Sequence, residues 1–237
     1  MLLFYVRHGD PVYIPDGLTE LGRQQADALV SRMAVCRPDK IFASSSNRAI
    51  MTAQPSAKHL GKEIRILDWC NEDYAGEEFG VFNEDGQRVW CFLNEKARQL
   101  FVSPEVRAMD TRWYDHPGFG VNRFKQGVER IQRESDSFFA SLGYVHAKEQ
   151  GGYIAQRPND DRIALFAHQG FGLAFLSCLL DIPYPQLCTH FDLGHSSVTA
   201  IEFSGEGLVI PKVLQLSNDS HIFTAGMETA YQNRVVF

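Results

Sequence analysis

The chain has 237 residues, of which 44% are hydrophobic and 22% charged, with a formal net charge of -6. These values exclude a collagen-like, coiled-coil or wholly disordered chain and argue against nucleic-acid binding driven by net charge. At this length one domain carrying a sizeable insertion is expected, able to bury roughly 70–75% of its unfolded surface without staples. The five cysteines, Cys36, Cys70, Cys91, Cys178 and Cys188, are widely spaced and form no CxxC pair, so neither a disulfide framework nor a zinc ribbon is expected. The apolar stretch at the start, Leu2 to Val6, is too short for a signal peptide. No run reaches the ~18 apolar residues of a membrane helix. The expectation is a soluble, reduced, cytoplasmic enzyme with no membrane or nucleic-acid partner.

In chain order, Leu2 to Arg7 reads as a fully buried strand closed by His8-Gly9-Asp10-Pro11. Thr19 is a helix cap with Glu20 in the first turn, and Gly22, Ala26, Leu29, Val30 and Met33 form one face of that helix. Lys40 to Ser44 is a second strand. The next helix is capped by Asn47 or a neighbouring serine, presents Ile50, Ala53, Ala57 and Leu60, and ends at Gly61. Pro55 should kink or break it. Glu63 to Leu67 is a third strand, and residues 68–120 show no clear period. Val121, Phe124, Val128, Ile131, Phe138 and Leu142 mark an amphipathic helix over 121–142. Ile163 to Ala167 is a fourth strand, followed by an apolar helix near 171–180 that Pro183 and Pro185 stop. Val198 to Phe203 and Leu208 to Leu216 read as a strand pair about a turn at Ser204 to Gly207. Alternating strands and helices imply an α/β three-layer sandwich, a mostly parallel sheet with helices on both faces. Ligands of such sheets sit beyond the carboxyl ends of the strands.

Three strands run into polar residues of one chemical kind. The first ends in Arg7-His8-Gly9, the second in Ser44-Ser45-Ser46-Asn47-Arg48, the fourth in His168-Gln169-Gly170. On one edge of a parallel sheet these would bring two guanidiniums and two imidazoles into one small volume, whose natural guest is a phosphoryl group.

With these elements in this order the chain resembles the histidine phosphatase superfamily, the phosphoglycerate mutase-like proteins. The matching residues are Val6-Arg7-His8-Gly9, then Leu18-Thr19-Glu20-Leu21-Gly22 with Gln25-Ala26, then Ser44-Ser45 and Arg48-Ala49 with Thr52-Ala53, then Glu72 with Gly76 and Gly80, then His168 and Gly170. They cover residues 1–80 and 160–203; the segment 81–160 matches nothing and is expected to be an inserted helical or loop lid within a single domain spanning 1–237. The resemblance implies that His8 is the nucleophile forming a phosphohistidine. It implies that Arg7, Arg48 and His168 hold the phosphate, and that Glu72 donates the proton to the leaving alcohol, with His168 counted among the catalytic residues. Asp73, Glu77 and Glu78 compete for the acid's role. No cofactor and no metal is implied, because the arginines supply the charge.

Plainer readings stand beside these: Arg7-His8 as a strand-end pair bound to a local carboxylate, Arg48 as a helix-surface residue, His168 as a satisfied buried histidine, Glu72 as a solvated loop acid. His190 and His195 flank Asp192 in a way that suggests a metal site, but no further ligand supports it and a structural role is favoured. His221 has no assigned role. The resemblance leaves a phosphomonoester hydrolase acting on a small phosphorylated metabolite, with phosphoglycerate mutase-type transfer and a non-catalytic phosphate-recognising module as alternatives. Asp73-Tyr74-Ala75 after Glu72, and Asp10-Pro11 after the RHG triplet, are acidic or apolar where mutases are basic or otherwise polar, which favours the hydrolase. In residues 81–125 arginines alternate with aromatics, and a substrate-gripping lid tipped by Trp113 and Tyr114 competes with a plain covering subdomain. The apolar end, Val235-Val236-Phe237, would cover a partner or the chain's own sheet.

Overall fold

Leu2–Arg7 (β1) runs through the middle of the molecule because both of its faces are apolar. Leu3 and Tyr5 enter one hydrophobic cluster and Phe4 and Val6 the other. That alternation, buried on both sides, marks a strand sandwiched between helical layers. The computed structural model describes residues 1–229. After β1 a short hairpin, Pro11–Tyr13 (β2) and Asp16–Leu18 (β3), leads to the helix Glu20–Cys36 (α1). The Thr19 hydroxyl caps α1 by accepting from the Gly22 N–H. Strand Lys40–Ala43 (β4), helix Asn47–Leu60 (α2) and strand Ile64–Ile66 (β5) follow, α2 ending at Gly61 in the left-handed region. Pro55 does not break α2, which continues through it to Leu60. The hydrogen bond that proline removes is outweighed by a buried face of Ala49, Thr52, Ala53, Ser56 and Ala57.

The harder middle begins with helix Glu72–Phe79 (α3) and the hairpin Gly80–Phe82 (β6) and Arg88–Trp90 (β7). Short helices Glu95–Phe101 (α4) and Pro104–Ala108 (α5) precede the long helix Phe124–Ser141 (α6). Strands Tyr144–Ala147 (β8) and Gly152–Ala155 (β9) lead to Arg162–Ala167 (β10), then to helices Gln169–Leu180 (α7) and Tyr184–His190 (α8). Strands Val198–Glu202 (β11), Gly207–Val209 (β12) and Lys212–Asn218 (β13) and the short helix Ser220–Thr224 (α9) end the described chain.

The central sheet has the order β13-β11-β1-β10-β4-β5. Its strands β1, β10, β4 and β5 are parallel neighbours, while β11 and β13 add antiparallel at one side. Helices α1 and α2 cover one face through Leu29, Met33, Ala53 and Ala57. Helices α6 and α7 cover the other through Ile131, Phe138, Phe139, Phe171 and Phe175. The mostly parallel α/β sandwich is therefore present. All five cysteines are free, and among the described residues no helix is long and apolar enough to cross a membrane.

Three local expectations need correction. Leu208 to Leu216 is not one strand: β12 pairs with β9 in a separate small sheet, and β13 pairs with β11. Pro211 lies between them and has no N–H to give a ladder. Val121 lies before α6 and is fully exposed, so the apolar face begins at Phe124. Trp113 is no lid tip. It is 2% exposed and its ring packs against Phe101, Phe124 and Tyr184 at centroid distances of 5.6, 5.1 and 5.7 Å. The buried aromatic residues of this segment join the hydrophobic cluster on the α6–α7 side of the central sheet, which holds these short elements in place. The tail at Val235–Phe237 lies outside the described residues.

Trp113→Ala is therefore expected to act on stability, lowering it by about 3–5 kcal/mol in urea denaturation. Undiminished stability would show that the cluster is not a packed core.

Candidate active site

The parallel register puts the polar strand ends side by side. Arg7 of β1 lies opposite Ala167 of β10, and Phe166 of β10 opposite Ala43 of β4. The residues that follow, His8, His168 and Ser44, therefore leave the sheet at one edge. The His8 N–H donates to the Ala167 carbonyl and the Ser44 N–H to the Phe166 carbonyl, both at 2.9 Å. The loop after His8 is pressed onto the start of α1. A Cβ on Gly22 would lie 2.1 Å from the Asp10 carbonyl oxygen, and one on Gly9 2.6 Å from the Gly22 oxygen. Only glycine fits at either position, so the loop and the helix pack backbone against backbone there.

His8 is almost wholly buried. Its Nδ1 lies 2.7 Å from the Gly9 carbonyl oxygen. A carbonyl only accepts, so the proton sits on Nδ1 and the lone pair on Nε2. Burial, the neighbouring His168 and Arg7 push its pKa well below the ordinary histidine value. His168 is edge-on to it, with ring centroids 5.2 Å apart. The His168 Nε2 lies 2.8 Å from the Ser44 hydroxyl and 3.1 Å from that of Ser46. Burial, Arg48 and Arg7 keep this ring neutral as well. A serine hydroxyl donating to Nε2 leaves the ring proton on Nδ1, which faces Glu72 Oε2 at 3.5 Å.

Glu72 is the first residue of α3 and reaches across to the start of α7. Its Oε1 accepts from the Gly170 N–H at 2.8 Å, and its Oε2 lies 3.4 Å from Arg48 Nη2. Burial raises its pKa, and Arg48, Arg7 and the backbone N–H groups of α7 hold the rise in check. The competing acids are elsewhere engaged or outward. Glu78 forms a two-pronged pair with Arg130 at 2.7 Å on both oxygens, Glu77 pairs with Arg123, and Asp73 is exposed. Arg48 is anchored through Nη1 to Asp16 at 2.7 Å, and Arg7 through Nη1 to the Leu193 carbonyl.

The structure thus brings together Arg7, His8, Arg48, Glu72 and His168. Among the described residues, three of the buried side-chain atoms without a hydrogen-bond partner are Arg7 Nε, Arg48 Nε and His168 Nδ1. Buried donors left open side by side on two guanidiniums and an imidazole have the chemistry to receive an anion. A cleft of about 700 Å³ adjoins them, lined among others by Tyr13, Arg48, Glu72, Asp73, Arg88 and Trp90. His8, Glu72 and His168 also bring one potential metal-ligand atom each within 4.8 Å of one another. The two guanidiniums in the same volume oppose a cation there.

Several site residues escaped the sequence reading. His195 is not remote: its Nε2 lies 2.8 Å from Arg7 Nη2 and its ring 5.7 Å from that of His8. Its only signal was the His190-Asp192-His195 spacing, which suggested a metal for the wrong reason. Asp192 instead accepts from the Gln169 side chain and the Leu193 N–H. Ser46 stands at the cap of α2 but makes no side-chain cap bond and turns its hydroxyl to His168. Asp16, from β3, takes over the cap by accepting from the Asn47 N–H at 2.6 Å. Trp90 packs against Gly170, where a Cβ would come within 2.4 Å of the indole. His221 is buried with Nε2 3.0 Å from the Ser196 hydroxyl, a structural position.

By sequence, the profile described as the histidine phosphatase superfamily (branch 1) matches residues 3–104. No curated protein matches the chain. By structure the chain is similar to phosphoserine phosphatase from Entamoeba histolytica in complex with 3-phosphoglyceric acid, with a TM-score of 0.58 and 17% identity over 93% of this chain and 98% of that one. It is also similar to mycobacterial glucosyl-3-phosphoglycerate phosphatase with inorganic phosphate, with a TM-score of 0.59 and 21% identity over 93% of this chain and 98% of that one. These likenesses show a shared fold.

The depressed pKa values have a direct readout. In NMR titrations the imidazole resonances of His8 and His168 should keep their neutral positions as pH falls through the ordinary histidine midpoint near ~6.5. Protonation of either ring at that midpoint would contradict the burial argument.

Proposed function

We propose that the chain, whose residues 3–104 match the histidine phosphatase superfamily profile, hydrolyses phosphomonoesters of small metabolites through a phosphohistidine on His8. The observation that carries this reading is the set of buried, unpartnered donors on Arg7, Arg48 and His168 beside an imidazole whose Nε2 lone pair is free. A phosphoryl group supplies the oxygens those donors lack. His8 Nε2 attacks phosphorus in line, the bond to the leaving oxygen breaks, and Glu72 gives that oxygen its proton. The guanidiniums and His168 offset the charge on the equatorial oxygens as the transition state forms. Water then attacks the phosphohistidine, the Glu72 carboxylate accepts its proton, and phosphate leaves with His8 restored. The raised pKa of Glu72 and the lowered pKa of His8 suit these opposite tasks.

Hydrolysis is favoured over mutase transfer by what lies next to the acid. Asp73 lines the cleft directly after Glu72. A second phosphate there would meet like charge, and the open cleft admits water. The phosphatase names borne by the similar structures support the same reading. The segment 81–160 is proposed to cover the substrate, with the β6–β7 hairpin supplying Arg88, Val89 and Trp90 to the cleft wall.

The purified protein should release phosphate from an aryl phosphate in the presence of a chelator. His8→Ala should abolish release, and Glu72→Gln should lower it by about 10²–10⁴-fold. Phosphate exchange between positions of phosphoglycerate, without net release, would instead establish the mutase. As to pH, donation requires protonated Glu72, so kcat should fall as pH rises through its raised pKa. On the acid side the profile should stay flat through the ordinary histidine range because His8 remains neutral. A profile that loses activity on acidification near ~6.5 would overturn the assignment of His8.

A further inference from the structure

Within this phosphoryl-transfer reading, the structure assigns to His195, steered by Asp10, the task of holding the Arg7 guanidinium in its working orientation. Arg7 is anchored at two atoms: Nη1 to the Leu193 carbonyl and Nη2 to His195 Nε2 at 2.8 Å. A further N–H, on Nε, is buried and unpartnered. Two fixed corners leave a planar fork only one way to face a phosphoryl oxygen.

Histidine suits this place because the contact needs an acceptor that is rigid and stays neutral. Arg7 only donates, so His195 Nε2 must carry a lone pair and the ring proton must be on Nδ1. Asp10 Oδ1 lies 3.5 Å from Nδ1, on the side where it favours that tautomer. Asp10 is itself fixed, since its Oδ2 accepts from the Thr19 hydroxyl at 2.7 Å and its N–H donates to the Gln25 side chain at 2.8 Å. Burial and Arg7 push the His195 pKa down to about 3, consistent with an acceptor that does not protonate.

The turn that carries His195 is tied to the nucleophile loop. The Ser196 N–H donates to the His8 carbonyl at 3.0 Å, and the Arg7 N–H to the Ser197 carbonyl at 3.1 Å. Ser196 has φ +59, a left-handed conformation that a serine adopts only under constraint. The Ser196 hydroxyl is held by His221, and the Gly194 N–H by Ser217. This turn fixes His195 against both Arg7 and the face of His8. A residue needed only to fill space would not require that strained backbone or a polar contact at each end of its ring.

His195→Phe keeps the ring and removes the acceptor, whereas His195→Gln returns an acceptor oxygen near the position of Nε2. Both are compared with wild type for folding by circular dichroism, for kcat and KM on an aryl phosphate, and for the affinity of inorganic phosphate by calorimetry. His195→Phe should fold normally and weaken both KM and phosphate affinity about tenfold or more. His195→Gln should recover most of both. Wild-type values in His195→Phe, or equal losses in the two variants, would overturn the assignment. The calorimetric arm needs no turnover, so a wild type that binds phosphate without hydrolysing it defeats the proposed reaction while the variants still decide the role of His195. Failure of the wild type to bind phosphate overturns both.

Discussion

Two guanidiniums buried beside two imidazoles are the constraint on which the rest of this structure depends. Arg7 and Arg48 are 5% and 6% exposed, and an ion taken from water costs about several kcal/mol unless partners replace its hydration. Each arginine has received partners on part of its surface only: Asp16 and Glu72 for Arg48, Leu193 and His195 for Arg7. His8, His168 and Glu72 respond to their burial and to that positive charge. His8 and His168 stay neutral, while Glu72, caught between burial and the arginines, keeps a raised pKa. The protonation states that phosphoryl transfer through a histidine would need thus follow from one electrostatic arrangement.

Holding such a cluster together requires contacts between segments far apart in the chain. Tyr5, on the opposite face of β1 from Val6, fixes the start of α7 by bonding both the N–H and the carbonyl of His168. Thr52 of α2 accepts from the Gly9 N–H and donates to the Arg48 carbonyl, linking the loop after His8 to the second arginine. Gly22 lets α1 come close enough to support that loop, and the turn at residues 194–197 clamps it from the other side. The geometry is set by backbone packed on backbone, which leaves little room for the reactive side chains to drift.

The strand ends were legible because strands of a parallel sheet share a direction, so Arg7-His8, Ser44 and His168 had to emerge together. Glu72 could be reached only through the family resemblance, since four acids lie within residues 72–78 and only tertiary contacts separate Glu72 from Glu78, which Arg130 neutralises. Trp113 was misread because an aromatic among arginines in an aperiodic segment gives no sign of whether it faces substrate or core. Leu208 to Leu216 was misread because an apolar run does not say which of two sheets it joins. His195 was misread because its partners, Asp10 and Arg7, lie 185 and 188 residues away in sequence.

By itself the sequence determined the α/β class, the mostly parallel sheet, and the identity of Arg7, His8, Arg48 and His168 as a converging set, because periodicity and strand direction are local properties. The tertiary structure alone decided which tautomer His8 holds, which acid stands against His168, that Asp16 rather than a serine caps α2, and that His195 belongs to the site. Those outcomes depend on burial and on contacts across the chain, and desolvation, the largest influence on the protonation states here, exists only once the chain has closed around the charges.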